Sequence, residues 1–293
     1  MTSEVFNPFS RKPSPKTDSK ELAKRGEWPK LILIGIVVVY LALVLLVPAI
    51  NVFVQAFDGG MEGFLETIRQ REFVSALKLT LLMAAIAVPL NTVFGICAAL
   101  ALARKRFPGR TLLISIIDLP FSVSPIVAGL MIVLLYGRNG WFGPLLESAG
   151  IKIIFAIPGM LLATIFVTLP FVAREVLPVL EEMGPELEEA AKTLGASDWQ
   201  VFWRVTLPSI RWGLLYGLIL TNARAMGEFG AIVVVSGSIR GKTQTLPLFV
   251  EEAYKQYQTQ SAYAAAVLLA LLAVVTLVLK EILERKTAIK DAE

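Results

Sequence analysis

Six stretches of the chain are apolar almost throughout, and the polar residues gather between them: 31–54, 77–103, 111–136, 157–173, 212–235 and 262–283. A helix crossing a bilayer core takes about 20 residues, with a lower limit of about 17, so each stretch predicts one crossing. The third contains Pro120 and Pro125. Each removes a backbone donor, which predicts a break or kink. Ser122 and Ser124 between them can satisfy the freed backbone groups or offer hydroxyls to a passing anion. The fifth contains Asn222, Arg224 and Glu228. At 1.5 Å per residue, Arg224 lies about 18 Å beyond Trp212, near the membrane midplane. A charge there costs about 2.5–3.5 kcal/mol and faces the bundle interior or a water-filled cavity. Arg224 and Glu228 are four apart, on one helix face. They either neutralise each other or leave Arg224 free to line an anion route. Gly227 and Gly230 suit close helix packing.

The long polar interval before the fifth stretch has its own pattern. Gly184-Pro185 ends the preceding helix, and Pro185 fits a first helical position, where a missing N–H is harmless. Glu186, Glu188 and Glu189 follow in the first turn, where the helix dipole favours acids. Leu187, Ala190, Ala191 and Leu194 recur at i, i+3, i+4 and i+7, one apolar stripe. Gly195 suits the left-handed residue that closes a helix. Ser197 with Gln200 is a capping-box pattern that starts another. Trp199, Phe202 and Trp203 give this second helix an apolar face, and Leu207-Pro208 leads into the fifth stretch. The pattern predicts a two-helix elbow at the membrane surface, resting on headgroups or docking a partner. Small Ala190 and Ala191 beside acids favour docking, because lipid rewards bulky apolar and basic side chains.

Composition places the chain in the membrane class: 55% of its 293 residues are apolar and the mean hydropathy is +0.66. Lys and Arg bias short segments toward the cytoplasm. Seven occur up to Lys30, four in 104–110, four in 174–211 and four from Lys280 onward; the alternate segments hold two, two and three. Both termini and the elbow are therefore expected in the cytoplasm of a cell inner-membrane protein. The net charge of +4 follows from this bias and implies no nucleic-acid partner. The single cysteine, Cys97, excludes an internal disulfide and reads as a packing residue. Histidine is absent, which removes the commonest general base and metal ligand; neither a catalytic nor a metal site is expected. Asp118 reads as a satisfied interior acid.

The spacing Glu189-Ala190-Ala191, three residues, Gly195, nine residues, Val205-Thr206-Leu207-Pro208 resembles the EAA loop of ABC importer membrane subunits. The stretches 107–110 (FPGR), 119–143 and 221–252 are similar to the sulfate/thiosulfate permease group, CysW type; molybdate permeases share part of them. The resemblance runs from about Trp28 to Leu283. It implies an all-α integral membrane protein with six transmembrane helices, the type I importer (MetI-like) permease fold and a cytoplasmic coupling helix. It also implies a sulfate/thiosulfate import subunit that pairs with a paralogous CysT-type permease, an ABC ATPase homodimer and an external sulfate-binding protein. Glu189, Ala190, Ala191 and Gly195 would couple to the ATPase, which would use ATP and Mg; no cofactor is expected on this chain, which lacks a Walker-type GxxxxGK[ST]. Arg224, Glu228, Asn222, Ser122 and Ser124 are candidate path or gate residues. The alternatives are a molybdate/tungstate permease subunit and an ion-coupled anion carrier with Glu228 as proton relay. The expected organisation is a flexible cytoplasmic tail at 1–29, the first crossing and an external loop at 30–74, a permease core at 75–283 with the EAA loop at 186–208, and a second cytoplasmic tail at 284–293.

Overall fold

The computed structural model describes residues 19–290. The tail assigned to 1–29 lies partly outside them, as do residues 291–293. Within them the helix reaches further than the apolar pattern indicates. The first helix, α1 (Ser19–Leu41), passes through a π-type turn at Ala42–Leu46 into α2 (Val47–Ala56), so residues 19–29 extend an apolar helix already nucleated. Of the described residues, 19–51 form a unit of their own.

The second unit begins at Val52, within α2, and its first complete helix is the short α3 (Gly60–Arg69), in the loop after the first crossing. Phe57 and Phe64 stack there with ring centroids 4.7 Å apart. The axis of the unit is a pair of long helices, α4 (Arg71–Arg104) and, after three intervening helices, α8 (Ile157–Met183). They run parallel: Met83 packs with Met160 near one end, and Arg104 reaches the Leu180 carbonyl at the other. Between these points Asn91 Nδ2 donates to Thr168 Oγ1 at 2.7 Å and to the Ile165 carbonyl at 3.1 Å. Gly95 lets the backbones approach; a Cβ there would lie 2.6 Å from Val172 Cβ. Gly95→Ala is accordingly expected to lower stability by about 1–3 kcal/mol through overpacking, read as a drop in melting temperature of the detergent-extracted protein.

The third and fifth apolar stretches are each broken. Helices α5 (Arg110–Ser122) and α6 (Pro125–Tyr136) meet at 108°. Their packing shows a single crossing, not a loop that turns back. Helix α5 covers one half of α8, with Arg110 beside Glu181 and Ile117 beside Ala173. Helix α6 covers the other half, with Ile132 beside Ala163 and Val167. After α6 and a short α7 (Gly143–Ser148), α8 returns the chain to the elbow side. The elbow follows as α9 (Glu186–Thr193), α10 (Asp198–Val201), a π-type turn at Phe202–Thr206 and α11 (Leu207–Ser209). Helices α12 (Arg211–Met226) and α13 (Gly230–Ser236) then form the second broken crossing, bent by 48°. Gly213 and Gly217 of α12 sit against Glu175 and Val172, while Val235 of α13 sits against Gly159. Helix α14 (Leu246–Lys255) is a packed lid on the side opposite the elbow, where Thr80 Oγ1 accepts from the Leu246 N–H at 2.8 Å. Helix α15 (Thr259–Lys290) is the sixth crossing and continues helically through 284–290.

Candidate functional site

The elbow forms as its local chemistry dictates. Gly195 has φ +86°. The Ala196 N–H donates to the Ala191 carbonyl at 3.1 Å and the Gly195 N–H to that of Lys192 at 2.9 Å, a Schellman-type close to α9. Ser197 and Gln200 complete the capping box in both directions, at 2.9 and 3.4 Å. Lys192 Nζ lies 2.7 Å from Asp198 across the bend. This raises the lysine pKa and lowers that of the aspartate, each through their hydrogen bond first. Both side chains are exposed, so the pair contributes little stability.

The apolar stripe of α9 points away from its own protein. Leu187 is 56% exposed and Leu194 90%, and Glu189 and Ala190 are also exposed. The inward side is occupied by Glu188, which sequence reasoning placed only as a dipole-favoured acid. Its carboxylate accepts from Arg104 Nε at 2.9 Å, Arg104 Nη2 at 3.1 Å and Thr206 Oγ1 at 2.8 Å. Arg104 also donates to the Leu180 carbonyl at 2.8 Å. One carboxylate thus joins the ends of α4 and α8 to both limbs of the elbow. Burial raises the Glu188 pKa, but the Arg104 and Thr206 hydrogen bonds and the Arg104 charge outweigh it, and the net shift is downward.

The two breaks meet within the bundle. Gly230 faces Pro125, where a Cβ would come within 2.9 Å of Pro125 Cβ, and Gly129 faces the Ala231 carbonyl. Gly230 therefore serves the close packing expected of it. Gly227 does not; it ends α12 and a Cβ there would meet only its own helix. Glu228 lies in the second break, with no exposure. Its Oε1 accepts from the Ala231 N–H at 2.8 Å, and its Oε2 lies 2.8 Å from Arg224 Nη1, an ion contact without hydrogen-bond alignment. Asn222 is half-buried and turned toward the Met226 sulfur at 3.8 Å. Arg224, Asn222 and Glu228 are thus grouped on one stretch of the fifth crossing. Ser122 and Ser124 lie exposed at the other break, and neither hydroxyl bonds to a described residue. The freed backbone groups of the third crossing are left to the bend itself.

A second arginine on a crossing helix was hidden by the apolar pattern. Helix α8 does not end near residue 173 but continues to Met183, so Arg174 lies on this helix and not in the polar loop. Its Nε lies 3.0 Å from Asp118 Oδ1, and its Nη2 donates to Asp118 Oδ2 at 3.3 Å. The guanidinium lies over the Phe121 ring, 5.1 Å from the centroid. The adjacent Asp118, singled out as an interior acid, was the available signal: it required a cation at the same depth.

Six apolar crossings, two of them broken where they touch, and a polar elbow fastened beneath the bundle define a multi-pass membrane permease subunit. Residues 91–289 match the family model described as "Binding-protein-dependent transport system inner membrane component". The chain belongs to that family. It is 70% identical over 258 residues to the sulfate transport system permease protein CysW of Synechocystis sp., covering 88% of this chain and 94% of the relative. It is 41% identical to the CysT permease protein of the Escherichia coli sulfate transport system, over 81% of this chain and 86% of that one. Among solved structures it resembles a chain of a bacterial alginate ABC transporter in complex with an alginate pentasaccharide-bound periplasmic protein. The TM-score is 0.77 at 19% identity, covering 90% of this chain and 96% of that chain. The fold expected from the sequence is thereby shown: all-helical, of the ABC importer permease type.

Proposed function

We propose that this chain is the membrane subunit of an ATP-driven sulfate importer, with α9 as the coupling helix for a separate ATP-hydrolysing subunit. The observation that carries the coupling role is the orientation of α9. Its Leu187, Ala190 and Leu194 are turned away from the protein while Glu188 bolts the opposite side to α4. An apolar stripe interrupted by small residues and edged by acids fits a protein groove better than headgroups. Sulfate as cargo is supported by the 70% identity to CysW.

In this reading the partner ATPase is a dimer that uses ATP and Mg, and α9 presents Glu189, Ala190, Ala191 and Gly195 to it. A CysT-type permease completes the membrane pair, for which the 41% identical relative supplies the precedent. An external binding protein delivers the anion, as a periplasmic protein is bound in the alginate transporter complex. The elbow and both termini lie in the cytoplasm, the side favoured by the basic residues.

Gly195→Pro removes the donor to Lys192 and cannot adopt φ +86°, and Glu189→Lys reverses a charge on the docking face. Both variants are expected to insert normally, with ATP-driven sulfate uptake reduced at least about tenfold, a loss of roughly 1.4 kcal/mol or more in coupling. Wild-type uptake rates in both variants, measured with labelled sulfate in energised vesicles, would refute the docking role of α9.

A further inference from the structure

We propose that the corner where α14 turns into α15, beside the start of α4, is the docking point of the external binding protein. That protein would place a basic side chain in a cleft there and pack on Tyr257. The inference rests on the importer reading and names the contact the binding protein makes. The corner lies on the side of the bundle away from the elbow: Glu72 opens α4, whose far end meets the elbow through Arg104.

Helix α14 closes with the Tyr257 N–H donating to the Tyr254 carbonyl at 3.1 Å and the Gln258 N–H to that of Ala253 at 2.9 Å, the Schellman-type close that also ends α9. The residue at the turn is left-handed in both, Gly195 at φ +86° and Tyr257 at φ +60°. Glycine adopts this conformation freely, whereas a bulky residue is strained in it. Tyr257 gains nothing from its own chain in return. It is 90% exposed, and its hydroxyl bonds to no described residue. Tyr254, three residues earlier, is exposed as well. A ring held in the open against the local backbone preference points to a partner outside the chain. Tyrosine is among the residues that protein interfaces favour.

The adjoining cleft, of about 300 Å³, sets the chemistry of that partner. Glu252 lines it and already accepts from Arg240 Nε at 2.7 Å, from Gln256 Nε2 at 3.0 Å and from the Gln244 amide. With its Nε2 turned to Glu252, Gln244 is left with Oε1 as an acceptor. Gln244 is 3% exposed, and this oxygen has no partner among the described residues. Glu72, exposed at the rim, pairs with no described residue either. Arg240 balances Glu252, so Glu72 leaves the cleft with a negative charge and a shortage of donors. Such a site disfavours an oxyanion and fits a lysine or arginine, which brings both positive charge and N–H groups. A second permease subunit would meet the apolar flanks of the crossing helices; a polar corner at their outer ends suits a protein arriving from outside.

The test measures the affinity of the purified, sulfate-loaded binding protein of the same cell for the assembled transporter in nanodiscs. Tyr257→Gly relieves the left-handed backbone, so the variant is expected to melt no lower than the wild type while its Kd for the binding protein rises at least tenfold. A tyrosine with a purely structural role predicts an unchanged Kd. Glu72→Lys is expected to raise the Kd by a similar factor, and Glu72→Gln to raise it less and to flatten its dependence on salt. A wild-type Kd in either Tyr257→Gly or Glu72→Lys would overturn the inference. So would loss of the paralogous permease from either variant, which would make the corner a seam between membrane subunits. A wild-type transporter that binds no such protein and takes up no sulfate under ATP would remove the importer reading itself, and this inference with it.

Discussion

Arg224→Ala is expected to cost the folded subunit about 3 kcal/mol or more, because it strands the carboxylate of Glu228 in a site closed to solvent. Arg224 itself is one-third exposed and could find water if its partner were lost. Glu228 has no such recourse. The Ala231 N–H, which Glu228 Oε1 holds at 2.8 Å, is its one remaining donor among the described residues. Adding Glu228→Gln to Arg224→Ala removes the unpaired charge while keeping an acceptor for Ala231. The double variant is therefore expected to be more stable than Arg224→Ala alone, by size-exclusion yield and melting temperature in detergent. If Arg224→Ala folds as well as the wild type and loses only transport, the arginine works in the path and its pairing with Glu228 is secondary.

This pair also explains how the fifth crossing tolerates a break. Gly227 ends α12, and the chain must restart as α13 with free N–H groups inside the membrane. Glu228 supplies an acceptor to one of them, the Ala231 N–H, from two residues before the restart. Arg224 then balances the charge from one turn below. The break, the acid and the arginine are one solution to a backbone problem, and Pro125 against Gly230 locks it to the break in the third crossing.

Local chemistry made the elbow readable. Gly195 in the left-handed region and the Ser197–Gln200 capping box are set by residues within a few positions of each other. The crossings were readable because each needs only a long apolar run. What the pattern concealed depends on partners far along the chain. Arg174 looked like the end of a helix because a charge closes an apolar window. The helix in fact continues to Met183, and Arg174 pairs with Asp118, 56 positions earlier. Glu188 looked like one of three interchangeable acids. Its distinction is Arg104, 84 positions away. The 108° bend at Val123 was foreshadowed by two prolines, but its size is set by the α6 surface against α13, which no local rule contains.

Glu188→Ala is expected to leave the bundle inserted while the elbow comes loose from it. The variant removes the acceptor of two Arg104 donors and of Thr206, with Arg104 and Glu188 only 17% and 15% exposed. Hydrogen bonds to a charged group contribute about 1.5–3 kcal/mol each way of counting the site. That range lowers the equilibrium constant for seating a locally unfolding segment by roughly ten- to a hundredfold. The expected readouts are amide exchange faster by that factor across 186–197, with α4 and α8 unchanged, and a fall in sulfate uptake. Exchanging the pair, Glu188→Arg with Arg104→Glu, is expected to restore part of both. Because the folded Glu188 pKa is depressed below its ordinary 4.5, the stabilisation is complete above that value and is lost as the pH falls through the lower, folded one. Elbow protection in the wild type should therefore be flat from about pH 6 to 8 and fail only in acid. An elbow that stays protected in Glu188→Ala would show that the apolar contacts of Val201 and Ile210, both buried, hold it without the carboxylate.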